Sequence, residues 1–312
     1  MAVHVLLGGT GTLGHALAKV LATETYGKIR VVARNEGRLV AMRRAFPDDR
    51  FSFIIADVRD EDRIRRVLVG ATHVYHMAAL KHVHTCEYDV LEAIKTNVEG
   101  STNVIRACID AGVQRAVLVS TDKAVEPTTS YGAMKMAAER AFIYGNSYRG
   151  EAANPIFYCV RYGNVLGSTG SVVELWRRSF QQGNPITVAD PETTRFWWTS
   201  EDAARFIFKS MDVARGGDII VPLMASCALG DLADLVAPGC RQVRIDGYNT
   251  EKTHEVLLAP YETAMATYVS GLNAVRVAYL QPSPGNEMPW GSSQLNSQDY
   301  VDISEVGKCL VS

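Results

Sequence analysis

The chain has 312 residues and a formal net charge of -2, which allows one large domain or two modest ones and excludes broad electrostatic binding to nucleic acid. Its six cysteines are scattered with no CxxC pair, the usage of reduced thiols in a cytoplasmic protein and not of a disulfide frame. No apolar run is long enough to span a bilayer, the N-terminus lacks the basic region of a signal peptide, and no internal repeat is visible.

Val3 to Leu7 forms a short apolar run that breaks into Gly8-Gly9-Thr10-Gly11-Thr12-Leu13-Gly14 and then into a helical pattern through Ala16, Leu17, Val20 and Leu21. Strand, glycine turn and helix in this order make a phosphate site: the glycines admit a pyrophosphate, and the helix N-terminus offers it free N–H groups. The spacing Gly8-x-x-Gly11-x-x-Gly14 differs from the commoner GxGxxG. A second strand, Ile29 to Ala33, ends at Arg34, where an acidic residue would favour NAD. Arg34 suits the 2′-phosphate of NADP, although Glu36 nearby opposes it. Phe51 to Ile55 is the third strand, followed by Asp57 and Val58. Asp57 is placed to reach an adenine amino group, or else to cap the helix from Glu61 onward.

Thr72 to Met77 is the fourth strand. The small residues Ala78 and Ala79 let the following loop pack against a cofactor, and Asn97 falls in one helix predicted from Ala93 to Ala111. His82-Val83-His84-Thr85-Cys86 contains metal-ligand residue types without a second cluster at a suitable spacing, so it reads as a polar loop rim and no metal site is expected. Arg115 to Ser120 reads as a buried strand that delivers Thr121, Asp122 and Lys123 to the sheet's carboxyl edge. Tyr131 and Lys135 lie four residues apart and share a helix face. A lysine there can lower the phenol's pKa, and the phenolate can take a hydroxyl proton while hydride leaves the same carbon. Asp122 and Lys123 add an acid/base pair that a simple dehydrogenase does not need.

Strands alternating with helices imply an α/β fold with a doubly wound parallel sheet. Residues 1–165 are expected to form the dinucleotide-binding domain, with 195–222 returning to it, and 166–312 a smaller substrate domain. In the second half, Pro155 to Val160 reads as a strand, and Gly167-Ser168-Thr169-Gly170-Ser171 opens a helix through Phe180. Arg195 is either a diphosphate partner or a structural ion pair. Phe196-Trp197-Trp198 reads as core, and Gln281 to Ser297 as a loop or arm.

Six segments together resemble the extended short-chain dehydrogenase/reductases (Rossmann fold), and within them the nucleotide-sugar 4,6-dehydratases acting on UDP-N-acetylglucosamine in polysaccharide biosynthesis. These are Ala78-Ala79-Leu80-Lys81-His82-Val83, Glu92-Ala93-Ile94-Lys95-Thr96-Asn97-Val98, Ser120 through Lys135, Arg161-Tyr162-Gly163-Asn164-Val165, Thr194-Arg195-Phe196-Trp197 and Glu251-Lys252-Thr253-His254-Glu255. The resemblance runs from the first strand to about His254. Long membrane-anchored relatives often have methionine at the place of Tyr131, so a tyrosine in a short chain without membrane helices favours the inverting, pseudaminic-acid type.

The resemblance implies NADP as cofactor, with NAD as the alternative, and a UDP-sugar substrate. It implies Tyr131, Lys135, Asp122 and Lys123 as catalytic residues. Lys123 would be a neutral base for the C5 proton, made so in part by Lys135, and Asp122 a protonated acid for the departing C6 hydroxyl. Val165 would lie near the nicotinamide. Lys81, Thr121, Asn164, Arg195 and Glu251 would hold the substrate. Self-association would run through Glu92 to Ala111 and Tyr131 to Gly145. One departure is plain: the family's arginine, proline and glycine before Glu251 are replaced by Tyr248-Asn249-Thr250, leaving Arg244 as the substitute cation. A UDP-sugar 4-epimerase and a non-catalytic NADP-binding scaffold are the competing readings.

Overall fold

The computed structural model describes residues 1–151, 153–168, 170–245, 250–280 and 294–311. Residues 248 and 249 of the departure above, and 281–293 of the expected arm, lie outside them. The first half alternates as the sequence implies: β1 (Val3–Leu7), α1 (Thr12–Glu24), β2 (Lys28–Ala33), α2 (Glu36–Ala45), β3 (Phe51–Ile55), α3 (Glu61–Leu68) and β4 (His73–His76). Next come α4 (Val83–Tyr88), α5 (Val90–Ile94), a π-helical turn (Lys95–Glu99), α6 (Gly100–Asp110), β5 (Arg115–Val119), a 3-10 turn (Asp122–Ala124), α7 (Ser130–Tyr148) and β6 (Ile156–Val160). The second half contains β7 (Asn164–Val165), α8 (Val172–Gln181), β8 (Ile186–Val188), β9 (Thr194–Trp198), α9 (Ser200–Val213), β10 (Asp218–Pro222), β11 (Ser226–Ala228), α10 (Leu229–Val236) and β12 (Gln242–Arg244). It closes with β13 (Val256–Leu258), α11 (Pro260–Thr263), β14 (Ala266–Val269), β15 (Ala274–Ala278), β16 (Leu295–Asn296) and α12 (Ile303–Val311).

One sheet carries the order β14-β15-β10-β6-β5-β4-β1-β2-β3. Its strands from β3 to β10 are parallel, while β15 and β14 add antiparallel at the far edge. Both faces are covered, so β1 and β6 read as continuous apolar runs, with Leu6, Leu7, Phe157 and Tyr158 fully buried. Chain order reverses where β1 pairs with both β2 and β4, and doubly wound sheets bind ligands outside the carboxyl ends at such a reversal. Beyond β6 the chain builds a second core around Val173, Trp176, Ile186, Trp197 and Leu232, served by β7-β9-β11 and the pair β8-β12. It returns to the large sheet through α9, which packs on α1, through β10, and again through β14 and β15.

The helix predicted from Ala93 to Ala111 is interrupted. Lys95–Glu99 takes a π turn, an insertion frequent at functional sites. Asn97 causes it to matter: its Oδ1 accepts from Leu80 N at 2.8 Å and its Nδ2 donates to Leu80 O at 2.9 Å. The side chain thereby clamps the loop after β4.

Candidate active site

The nucleotide side of the site is built by close backbone contacts. Gly8 has φ +81°, and a Cβ there would stand 2.7 Å from Ala78 N, so the glycine turn and the Ala78-Ala79 loop touch. A Cβ on Gly14 would meet Gly9 O at 2.3 Å, which seats α1 against the turn, whereas one on Gly11 would meet nothing nearer than Gly8 O at 3.6 Å. Gly11 caps α1 without a side-chain bond. The open space at Gly11, beside a helix N-terminus, therefore fits a dinucleotide pyrophosphate. A groove of about 560 Å³ continues from Thr10, Gly11 and Thr12 along His15 and Lys19 to Arg205; Leu13 is partly buried against the core.

Arg34 is half exposed and lies 3.7 Å from Asp57 Oδ2. Asp57 is also held by Arg59 at 2.7 Å, and Arg59 by Glu92 at 2.7 Å. Burial opposes ionisation of Asp57, but Arg59 and Arg34 keep its carboxyl below the ordinary range. The capping alternative for Asp57 is corrected: Asp60 caps α3, accepting from Arg63 N at 2.9 Å. Val58 lies behind, against Gly100, whose added Cβ would approach Val58 Cγ2 to 2.7 Å.

The chemical side assembles where β5 ends. Asp122 N donates to Tyr162 O at 3.0 Å, which fixes the 3-10 turn on the exit from β6. Asp122 is fully buried, with Oδ1 accepting from the Thr121 hydroxyl at 2.9 Å and Oδ2 without a partner. Lys123 Nζ lies 3.3 Å from Asp122 Oδ1 and 3.1 Å from Glu255 Oε1. Arg195 is buried beside them, with Nη2 3.5 Å from Glu251 and Nε 4.0 Å from Glu255. It also donates to Thr253 O at 3.2 Å, so in this structure Arg195 and Glu251 form an ion pair. Lys252 Nζ donates to Val125 O and lies 3.8 Å from Glu255 Oε2.

Burial raises the Asp122 carboxyl, and Lys123 offsets part of that rise. This is the direction that an acid carrying its proton requires. Two expectations are corrected. Burial alone would neutralise Lys123, but Asp122 and Glu255 overcome it and hold the ammonium above the ordinary lysine range; Lys135 is not among the main influences on it. Nor is Lys135 among the main influences on the Tyr131 phenol. Burial pushes that phenol up to about 12, with Lys123 the largest opposing influence and a Thr121 hydrogen bond a further one. Lys135 Nζ instead donates to Val119 O at 2.7 Å, and burial brings its pKa down to about 8. The four-residue spacing gives Tyr131 and Lys135 a shared face, as read, but the lysine is tied to the strand below.

Asn164 and Val165 stand in β7, paired with Trp197 and Trp198 of β9. Lys81 lies on the loop after β4, where burial lowers its pKa and Glu174 of α8 opposes. Arg244 is exposed on β12, 3.9 Å from Asp190, in the β8-β12 pair and outside the Lys123 cluster. The stretch from His82 enters α4, with Cys86 buried and its thiol donating to Leu80 O at 3.4 Å. Sequence reasoning missed Glu255, although it closes the Glu251-Lys252-Thr253-His254-Glu255 segment. It also missed Glu139, four residues beyond Lys135 on the helix face that Tyr131 and Lys135 share. Buried Arg161 joins Glu139 of α7 at 2.8 Å to Glu262 of α11 at 2.8 Å, fixing the helix that carries the tyrosine.

The family described as "Polysaccharide biosynthesis protein" matches residues 5–276. A UDP-N-acetylglucosamine 4,6-dehydratase (inverting) from Campylobacter jejuni subsp. jejuni (strain 81-176) is 36% identical over 258 residues, covering 82% of this chain and 77% of its own. A UDP-glucose 4-epimerase from Rickettsia akari is 30% identical over 309 residues, covering 96% and 89%. Among solved structures, Pen from Bacillus thuringiensis superposes with a TM-score of 0.91 at 28% identity, over 99% of this chain and 98% of its own.

Proposed function

Because the chain belongs to the polysaccharide biosynthesis protein family, we propose that it is an NADP-dependent nucleotide-sugar 4,6-dehydratase acting on UDP-N-acetylglucosamine with inversion at C5. The observation that carries this reading is the Asp122-Lys123 pair at the carboxyl edge of β5, with Asp122 buried and Lys123 half-buried, within electrostatic reach of Tyr131. A dehydrogenase or epimerase has no use for such a pair; removing water does.

Residues Gly8, Thr10 to Gly14, Ala78 and Ala79 would hold the dinucleotide, and Arg34 would face its 2′-phosphate. Bound NADP supplies a hydride acceptor for C4 and the hydride that C6 later receives. Tyr131 takes the C4 hydroxyl proton, with Thr121 steadying the phenolic oxygen and Lys135 holding the helix to β5. The 4-ketone acidifies the C5 proton, which Lys123 removes as a free amine. Asp122 gives its proton to the C6 oxygen, which leaves as water. Reprotonation of C5 on the opposite face inverts that centre. Lys81, Asn164 and Glu251 bind the sugar nucleotide, and Arg195 turns from Glu251 to the diphosphate.

A cytoplasmic setting, the pseudaminic-acid type and a substrate domain beginning after residue 165 belong to the same proposal. Among the described residues no helix is long and apolar enough to cross a membrane. Self-association through α6 and α7 is supported by Tyr144 and Tyr148, which α7 leaves 48% and 74% exposed.

The epimerase reading draws on the resting charge of the site, since an ammonium at Lys123 is a substrate-binding group before it is a base. Mass spectrometry of the product from UDP-N-acetylglucosamine separates the two. A dehydratase product is lighter by one water, and an epimer keeps its mass.

A further inference from the structure

Glu126 is an outlier of the backbone. Its φ is +44°, and among the described residues Asn273 is the other non-glycine with positive φ. Asparagine enters the left-handed region readily, whereas glutamate is strained there. Pro127 follows, and a residue before proline otherwise favours extended backbone. The Glu126 side chain is exposed, so the restraint lies in its neighbours.

Those neighbours are tied on both sides. Rotation about φ of Glu126 turns the peptide plane that holds the Val125 carbonyl, and this oxygen accepts from Lys252 Nζ. The Val125 side chain is buried with Val256 and Ala259. Val125 N donates to Asp122 O at 3.0 Å, closing the 3-10 turn that carries Asp122 and Lys123. Pro127 stands against α7, where a Cβ on Gly132 would lie 3.1 Å from Pro127 Cβ. Lys252 is itself held, with Nζ 3.8 Å from Glu255 Oε2. One segment of the second half thus reaches the acid/base turn twice: Glu255 meets the Lys123 amine at 3.1 Å, and Lys252 meets the Val125 carbonyl.

The geometry points to Lys252 as the positioning residue that clamps this turn in its left-handed form and thereby aims Lys123 at the C5 proton. A strained conformation persists only while its surroundings enforce it. Without the Lys252 ammonium, Glu126 relaxes toward extended φ, the Val125 peptide rotates, and the 3-10 turn shifts with it. Tyr131 stands on α7, whose first turn Thr129 caps separately. The step that suffers is therefore proton removal from C5 and not hydride transfer from C4. The inference rests on the dehydratase reading, and its test is arranged so that the two fail differently.

Wild type, Lys252→Met, and Lys252→Met combined with either Glu126→Gly or Glu126→Ala are given UDP-N-acetylglucosamine in deuterated buffer. Deuterium entry at C5 and single-turnover absorbance of the reduced nicotinamide are followed between about pH 6 and pH 9. Lys252→Met is expected to reduce nicotinamide within about threefold of wild type and to take up deuterium at least about tenfold more slowly, by the same factor at every pH. Glycine adopts a positive φ without strain, so Glu126→Gly is expected to recover at least about threefold of that loss. Glu126→Ala removes the same carboxylate but keeps the strain, and is expected to recover none. Equal recovery by glycine and alanine, or recovery by neither, overturns the proposal. So does a loss that fades as pH rises, because Lys252 then acts on Lys123 through charge alone. If Lys252→Met does not fold, Glu126→Pro decides, since proline fixes φ at about −65° with Lys252 intact. Slow deuterium entry with retained reduction is expected there, and entry at the wild-type rate overturns the proposal. If wild type itself expels no water, the dehydratase reading fails and this inference with it; if wild type expels water and glycine recovers nothing, the clamp fails alone.

Discussion

Gly132 lies directly against the carbonyl of Lys123: a Cβ at this position would stand 2.2 Å from Lys123 O. The first turn of α7 is thus pressed onto the 3-10 turn that carries Asp122 and Lys123. Thr129 caps the helix there, accepting from Gly132 N at 3.1 Å. Glu87 of α4 accepts from Ser130 N at 2.6 Å.

That contact predicts the outcome of Gly132→Ala. The backbone must give way, at a cost of about 1–3 kcal/mol, and the two halves of the site move apart. Denaturant unfolding is expected to show the loss, and turnover is expected to fall by more than stability does. An alanine variant with unchanged midpoint and rate would contradict the packing described.

Tyr131→Phe removes the group assigned to the C4 hydroxyl proton. Its phenol is neutral in the free chain, since burial holds it near 12, so Tyr131 must give up its own proton before, or as, it takes the one from the C4 hydroxyl. Single-turnover nicotinamide reduction is expected to slow by about 10²–10⁴-fold, with binding of UDP-N-acetylglucosamine little changed. Reduction at the full rate would remove Tyr131 from that role.

The proposed preference for NADP rests on Arg34. Its guanidinium is half exposed and only 3.7 Å from Asp57, close enough to be shared with an incoming 2′-phosphate. Arg34→Ala is expected to weaken NADP by about tenfold or more and to leave NAD within about twofold. Titration calorimetry with both dinucleotides reads this, and equal losses for the two would show that Arg34 does not see the phosphate.

Two buried histidines set a stability limb on the acid side. Burial, aided by Lys135, depresses His76 to about 3, and burial, aided by His73, depresses His4 to about 4. Unfolded imidazoles bind protons near about pH 6.5, so their contribution is present above that pH and is lost as pH falls toward the folded values. Each should cost about 2 kcal/mol between about pH 6.5 and pH 5. Asp218 acts oppositely, because burial lifts its carboxyl to about 6. The clean readout is therefore the difference in unfolding free energy between wild type and His76→Gln across that window. The variant's pH slope is expected to be shallower, and an unchanged slope would contradict the assignment.

Much of this architecture was legible in the residue pattern. Val3–Leu7, Arg115–Val119 and Ile156–Val160 are buried on both faces, so their apolar runs announced parallel strands, and the three glycines marked the turn. The π turn was hidden because the apolar pattern from Ala93 to Ala111 is continuous, and the Asn97 bonds to Leu80 that accompany the turn reach a distant loop. Glu255 was hidden for a related reason. Its carboxylate meets Lys123 across the fold, and no local period records an ion pair between distant segments. The spacing of Tyr131 and Lys135 fixed a face but not a partner, and Val119 O proved to be the lysine's acceptor. The short strands Ala266–Val269 and Ala274–Ala278 carry no feature that marks them as the antiparallel edge of the large sheet.

The central claim is that a buried carboxyl and amine beside Tyr131 expel the C6 oxygen of an oxidised sugar. Proton NMR of the product formed from UDP-N-acetylglucosamine in deuterated water tests it most directly. The account predicts a 6-deoxy-4-ketose with solvent deuterium at C5 and a C6 methyl free of it, because the third hydrogen of that methyl comes from C4. In Lys123→Ala the nicotinamide should still be reduced while deuterium no longer enters C5. A product that keeps its C6 hydroxyl, or normal C5 exchange in Lys123→Ala, would contradict it.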